Sequence, residues 1–536
     1  MTDDSRDPAS ADVFDTWPRE ERERIVAEIR AAVVAERWDD FAAIVDDYFF
    51  ALTAAEPHVL IEAWPQVPRE WVVEHPRQMV ASALTHAIWR SADRLDERVE
   101  RTFTRWVLGQ ERPAARDTIG VHAMEIRHHL VSGRFTRAND AADDAQRAIR
   151  QATEQDGFDD VLGMVLLHVG LARLVVADTS RAAEAFSEAW RWSASGLPHP
   201  ITPYLAGYCA LAHALAGDNA HAQEWADRSV VPVETDPHVM TYRMQYAGLL
   251  ARALIAIGRL DREGSEAILV DVGRGIESGD LWWVEIHARA RHALLWGDRA
   301  LALRDLEHAL NSFPSLTPPG SLAGALLRAD ISDLHQSLGN IDAALHIVEP
   351  STRAQTDPYL AVSAARALMI HGRAHDAAEL LDRTRAEQPP GFTETARWRV
   401  IRANLAHLAR ASPTGHALLA RVRAALDASQ AYDAAQEAIP GVRQAITADA
   451  PLPGDGTARF VPPPMVSLTP REEQVLGLLA AHASVQQIAD AMFVSRNTAK
   501  THLRVLYRKL GVSSREAALE ASAHLRRGHA SGQTPG

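Results

Sequence analysis

The feature that most restricts the fold of this chain is a turn that keeps returning. The stretches SGRFTRA, AGDNAHA, WGDRALA, LGNIDAA and HGRAHDA each set a glycine five residues before an alanine, at Gly133/Ala138, Gly217/Ala222, Gly297/Ala302, Gly339/Ala344 and Gly372/Ala377. Ala177/Ala182 repeats the spacing with alanine in the glycine's place, and Gly258 marks a further turn followed by Glu263. From Gly217 onward, with Gly258 included, the glycines lie 41, 39, 42 and 33 residues apart. The 84 residues from Gly133 to Gly217 make two units with Ala177 between them. A period of about 40 residues marked by a glycine turn is the signature of stacked helical hairpins. Glycine permits the tight end of the first helix, and the small alanine lets the second helix pack closely against it. Between the turns, from about residue 17 to 446, Ala, Leu, Arg and Glu dominate, and apolar residues recur every three or four positions. No run alternates as a strand would, so an all-α fold is expected.

This pattern resembles a divergent tetratricopeptide-like superhelix, with the Trp, Tyr and Pro positions of that repeat poorly kept. Leu60–Pro76, LIEAWPQVPREWVVEHP, leads into RQMVASALTHAIW and resembles the entry to the helical-repeat region of the large MalT-type transcriptional activators. In that family an ATPase module precedes this point. Here about 60 residues precede it and none can form a Walker motif, so the resemblance implies a regulator without a nucleotide-driven switch.

Lysine usage removes other functions. The only lysines are Lys500 and Lys509, close together near the C-terminus, among 56 basic residues. No lysine sits in a Gly-rich phosphate loop, in a Schiff-base context or on a kinase-type strand, and no enzymatic constellation stands out. The single cysteine, Cys209, excludes an internal disulfide and suits a reducing cytoplasm. The start, MTDDSRDPASAD, lacks the basic and apolar parts of a signal peptide. No apolar run approaches the roughly 18 residues of a membrane span. A cytoplasmic protein with no membrane association is therefore expected.

Charge divides the chain. From Val466 to Gly536 there are nine basic and five acidic residues, a balance of +4, which leaves −18 of the total −14 to everything before it. An acidic body repels a polyanion while the tail attracts one. The expected organisation is a disordered start at 1–16, a helical-repeat sensor or interaction domain at 17–446, and a linker at 447–466. A small four-helix domain at 467–528 and a disordered tail at 529–536 follow. The linker, TADAPLPGDGTARFVPPPMV, carries five prolines and two glycines and would span roughly 25 Å as a coil.

The small domain carries the chemistry. Thr469 and Glu472 form a capping box with Pro470 at the first helical position, and Ser484 with Gln487 forms a second box. A short turn, Phe493-Val494, leads to Ser495 as a third cap, and the next helix runs from Arg496 to Leu510. Ser513 and Glu516 open a last helix to about Arg526. On the helix from Arg496, at about 100° per residue, Ala499, Leu503, Leu506 and Leu510 share one side while Asn497, Lys500, Thr501, Arg504 and Arg508 share the other. No acid occurs from Ala491 to Ser514. A wholly basic and polar face after a tight two-helix turn is the outline of a recognition helix.

The segment LTPREEQVLGLLAAHASVQQIADAMFVSRNTAKTHLRVLYRKLGVSSREAAL resembles the LuxR-type helix-turn-helix domain, also seen in the NarL and MalT groups. The likeness rests on Leu468 to Glu472, Val475-Leu476, Ile488-Ala489, Ser495, Thr498, Lys500, His502, Lys509-Leu510, Val512 and Arg515. The chain departs from the pattern at Ala481-His482-Ala483, where a glycine is usual, at Gln487 in place of an acid, and at Ala499 in place of valine. By position, the resemblance implies that Lys500, Thr501 and Arg504 approach base edges. Ser495, Asn497, Thr498, Arg508 and Lys509 would hold phosphates. The last helix would pair two copies through Ala517, Ala518 and Ala521. The implied partners are double-stranded DNA, a second copy of the chain, RNA polymerase and an effector of the repeat body. No cofactor is implied.

Two further features invite other readings. Twenty-four histidines raise the question of a metal, but no HExxH run appears and one cysteine cannot build a thiolate site, so no metal is expected. Trp282, Trp283 and Trp296 read as core aromatics, the alternative being an effector pocket. The expectation is a bacterial transcriptional regulator, with a scaffold that recruits a protein partner to DNA as the other reading.

Overall fold

A computed structural model describes residues 17–89, 97–152, 158–230, 239–274, 281–348, 357–388, 394–409, 415–454, 470–481, 484–509, 515 and 518–519. Among them the regular elements are all helical. The chain forms two compact units. One comprises Met1–His292, His308–Leu327 and Asp427–Ala431, and the other comprises Ala293–Glu307, Arg328–Leu426 and Tyr432–Gly536.

In the first unit an amino-terminal core gathers Trp17, Phe41, Phe49, Leu60 and Trp64. The stretch from Leu60 to Pro76 breaks into short pieces, Pro57–Ala63, Trp64–Gln66 and Arg69–Glu74, before the helix Pro76–Trp89. Trp64 is fixed between them. Its ring meets Phe41 edge-on at 5.0 Å, and its indole N–H donates to Thr85 Oγ1 at 3.1 Å. Hairpins follow. From Ala115 to Arg274 each helix packs on the next, as Asp159–Val175 does on Thr179–Ala194, and some alternate helices also meet, as Thr202–Leu215 and Val239–Gly258 do.

The hairpin turns share one backbone solution. Glu36, Gly133, Ala177, Gly217, Leu260, Gly339 and Gly372 all take positive φ, between 53° and 84°. At each, the amide of the left-handed residue bonds a carbonyl three back, and the following amide reaches five back, as Gly217 to Ala214 (2.9 Å) and Asp218 to His213 (2.9 Å). This closure satisfies carbonyls that a helix end would otherwise leave bare. Five residues after each left-handed position stands a residue with no exposure, in order Phe41, Ala138, Ala182, Ala222, Ser265, Ala344 and Ala377. The turn thus fixes which side chain of the next helix enters the crossing. At Gly133 a second requirement applies, since a Cβ there would stand 2.3 Å from the Ser315 carbonyl oxygen.

Two turns differ from expectation. At the Gly258 turn the left-handed residue is Leu260 and the buried one Ser265, two positions beyond Gly258/Glu263. Gly258 ends its helix instead, and a Cβ on it would come within 2.1 Å of Asn219 Nδ2. Its lack of a side chain serves close approach. Gly297 does not take the left-handed conformation. That turn is closed by Asp298, whose carboxylate accepts from the amides of Ala300 and Leu301 at 3.0 Å each, and Ala302 is only half-buried.

The second unit holds a buried ionic set. Asp333 and Glu437, with 1% and 3% exposure, accept from Arg397, and Arg366 at 3% lies beside both. Burial opposes the charge on Arg397, but the carboxylates of Asp333 and Glu437 outweigh it and raise its pKa. Asn404 ties the same place to the start of the next helix, donating to the Glu437 carbonyl at 2.9 Å and accepting from the Ile439 amide at 3.0 Å. The last body helix is Pro440–Ile446. The expected linker does not begin freely at residue 447. Arg423 donates to the carbonyls of Ile446 (3.1 Å) and Ala450 (2.7 Å), and Leu452 is 3% exposed. Residues 455–466, like 1–16 and 529–536, lie outside the described residues. Among the described residues no helix is long and apolar enough to cross a membrane.

Candidate nucleic-acid interface

Three helices, Pro470–Ala481, Val485–Ala491 and Arg496–Lys509, pack on one another near the C-terminus. Their core is Val475, Leu476, Leu479, Ile488, Met492, Leu503 and Leu506, joined by Ala518. The first helix starts at Pro470, and Thr469 lies outside the described residues. The second opens on the expected reciprocal capping box. Ser484 Oγ accepts from the Gln487 amide at 3.3 Å, and Gln487 Oε1 accepts from the Ser484 amide at 3.1 Å. Arg515, which sequence places only as a match to the family pattern, donates to the Leu479 carbonyl at 2.6 Å and closes the end of the first helix.

The connecting turn is built as in the body, with one residue more. Phe493 takes φ 56°, its amide bonds the Asp490 carbonyl at 3.1 Å, and the Val494 amide bonds Ala489 at 3.0 Å. The fully buried small residue then comes six positions on, at Ala499. Ser495 caps the third helix. Its Oγ accepts from the Thr498 amide at 3.1 Å and pairs with Thr498 Oγ1 at 2.7 Å.

The third helix separates its faces as the sequence indicates. Ala499, Leu503 and Leu506 are 0%, 6% and 0% exposed, while Asn497, Thr498, Lys500, Thr501 and Arg504 are all exposed. Arg496, at the first helical position, is exposed too and was not among the expected contacts, although its charge belongs to the same acid-free run. Among the described residues no carboxylate pairs with Arg496, Lys500 or Arg504. Thr501 Oγ1 donates to the Asn497 carbonyl at 3.0 Å, which leaves its lone pairs outward. Ser495 satisfies the third amide of the helix, so the first two, at Arg496 and Asn497, face out with the positive end of the dipole. An anion at that end meets free N–H donors and cationic side chains together.

The remaining expected contacts fall differently. The side chains of Arg508 and Lys509 lie outside the described residues, as do Ala517 and Ala521. Ala518 is described, and it is a correction: with no exposure and a place in the same apolar cluster as the three helices, it serves the domain's own core and offers no surface to a second copy. Among the described residues no group of His, Cys, Asp and Glu could hold a metal. Cys209 is buried, and burial pushes its thiol up to about 12.

Residues 466–521 match the GerE family, described as bacterial regulatory proteins, luxR family. The match covers the three helices above and nothing of the repeat body. A luxR-type helix-turn-helix domain therefore stands at this end of the chain, and DNA binding in transcription regulation is the function it supports.

Proposed function

We propose that this chain is an effector-controlled transcriptional regulator, in which the helix Arg496–Lys509 enters the major groove. Lys500, Thr501 and Arg504 read base edges there, and arginine or lysine suits guanine O6 and N7. Ser495, Asn497 and Thr498, with Arg508 and Lys509, hold phosphates on either side. The observation that supports this reading best is the exposed cationic face at Arg496, Lys500 and Arg504, unpaired with any acid among the described residues, opposite a buried apolar face. A solvated helix face ordinarily mixes both signs of charge.

Two copies on neighbouring half-sites fit the docking geometry of helix-turn-helix proteins, with a pairing surface made from the last helix by residues other than Ala518. The 17–446 body is the sensor, and RNA polymerase is a further partner under this reading. The test is binding of the full-length protein to its mapped promoter sites and to scrambled duplex across a salt series. Affinity should fall steeply with salt on both, and a preference for the promoter should remain. Equal affinity for both sequences at every salt concentration removes the proposal.

A further inference from the structure

The first unit carries a half-open cavity of about 1070 Å³, just above the usual range of roughly 300–1,000 Å³ for small-molecule sites. Most of its wall is apolar, with Phe49, Leu84, Met124, Leu171, Trp282 and Phe313 among the contributors. Trp282 and Phe313 meet ring to ring at 4.6 Å, and Trp283, on the same wall, is 6% exposed. The tryptophan pair is therefore core and pocket wall at once.

The charged groups of the wall neutralise one another. Arg77 donates to both carboxylate oxygens of Asp117 at 2.8 and 2.7 Å and lies 3.5 Å from Asp46. Arg116 donates to Asp160 at 2.7 Å and to the Asp46 carbonyl at 2.9 Å. Glu100, Arg127 and His168 all line the same cavity. An anion entering the cavity would shed its water and face Asp46, Glu100 and Asp117, with no cation that lacks a carboxylate nearby to receive it.

Two acceptors stay open in this setting. Among the described residues Glu100 makes no hydrogen bond, and burial raises its pKa. His168 is kept neutral by burial, which lowers it to about 4. Its Nδ1 donates to the Met164 carbonyl at 2.7 Å, so Nε2 keeps its lone pair.

We propose that this cavity binds an uncharged, mainly apolar small molecule with at least one hydrogen-bond donor, accepted by Glu100 and His168. That this molecule is the effector of the regulator rests on the function proposed above, whereas its binding does not.

The test uses the full chain and the neutral dye N-phenyl-1-naphthylamine, which is apolar and carries one N–H donor, with 1-decanol, decanoate and decylammonium as competitors. The dye should bind saturably at one site and raise the unfolding temperature. Gly120 lines the cavity, and a Cβ there meets only Phe103 Cε1 at 3.8 Å, so Gly120→Phe fills space without a backbone clash. It should weaken the dye about tenfold or more, while Gly120→Ala should not. Decanol should displace the dye at a concentration about tenfold or more below that of either ion. Absence of saturable binding, an unchanged affinity in a folded Gly120→Phe protein, or an ion competing as well as decanol overturns the proposal. The competition series needs no variant, so it decides even if Gly120→Phe fails to fold. Promoter binding on the same samples separates the two readings. Dye binding lost with promoter preference intact strikes the cavity alone, and the reverse strikes the regulator alone.

Discussion

The hairpin turns of the repeat body and the turn of the DNA-binding domain use the same backbone closure for opposite ends. In the body one residue separates the left-handed position from the next helix, and the side chain five positions on is sealed in the crossing, as Ala222 is after Gly217. In the small domain Val494 and Ser495 intervene between Phe493 and the helix, and the sealed residue comes six positions on, at Ala499. The extra residue accompanies a helix that buries only a stripe and leaves Lys500 and Arg504 exposed. Identical local physics makes a packing element in one region and a presenting element in the other.

The largest effect that would break this contrast is on DNA. Replacing Lys500 and Arg504 together by alanine should lower affinity for the cognate site on the order of 100-fold or more and flatten the difference from scrambled DNA, with little change in melting temperature. Fluorescence anisotropy on both duplexes checks it, and equal losses on the two would show that these side chains read no sequence.

Next in size is the body. Ala222→Leu should destabilise its unit by about 1–3 kcal/mol, because the crossing has no room for a larger side chain. Chemical denaturation measures this, and a neutral outcome would mean that the turn does not set the closeness of the helices.

A pH effect of similar or smaller size is expected in the body. His199, 4% exposed, stacks on Phe50 at 4.3 Å, and burial lowers its pKa to about 4. A base whose pKa is lower folded than unfolded supports folding above its unfolded value, near 6.5, and withdraws that support as pH falls towards 4. The loss should be on the order of 1–3 kcal/mol. Melting curves between pH 7 and pH 4 should slope less for His199→Gln than for the parent, and parallel slopes would contradict it.

The last pair sharpens the comparison and ends on the smallest effect. Leu260→Gly should destabilise the body by up to about 3 kcal/mol, because emptying the site of a side chain only 3% exposed costs about 2–5 kcal/mol and relief of left-handed strain returns about 1–2. Phe493→Gly should relieve the same strain with no packing loss, since the ring is 96% exposed. A larger gain at Leu260 than at Phe493 would reverse the assignment of which turn is braced by its surroundings.

Much of this was legible in the sequence, for reasons specific to each residue. Gly133, Gly217, Gly339 and Gly372 announce left-handed turns because few other residues enter that region without strain. The faces of the helix from Arg496 could be sorted because its charges are all of one sign. Glu36, Leu260 and Phe493 also turn left-handed, but nothing in a glutamate, a leucine or a phenylalanine signals it, and only the surrounding packing fixes them there. The shift from Gly258/Glu263 to Leu260/Ser265 follows from that blindness. Ala518 was misplaced because a small residue suits a tight core as well as an interface. The cavity was hidden for a related reason: Phe49, Met124 and Trp282 read as core, and sequence does not tell a filled interior from a hollow one.

The ionic set of Asp333, Glu437, Arg366 and Arg397 has an evolutionary corollary. Taking away one member strands a bare charge in the interior at a cost of several kcal/mol, while exchanging oppositely charged members together for apolar ones can be nearly harmless. Descendants of this chain should therefore change these positions jointly or not at all. The path between the two permitted versions runs through an intermediate that folds poorly.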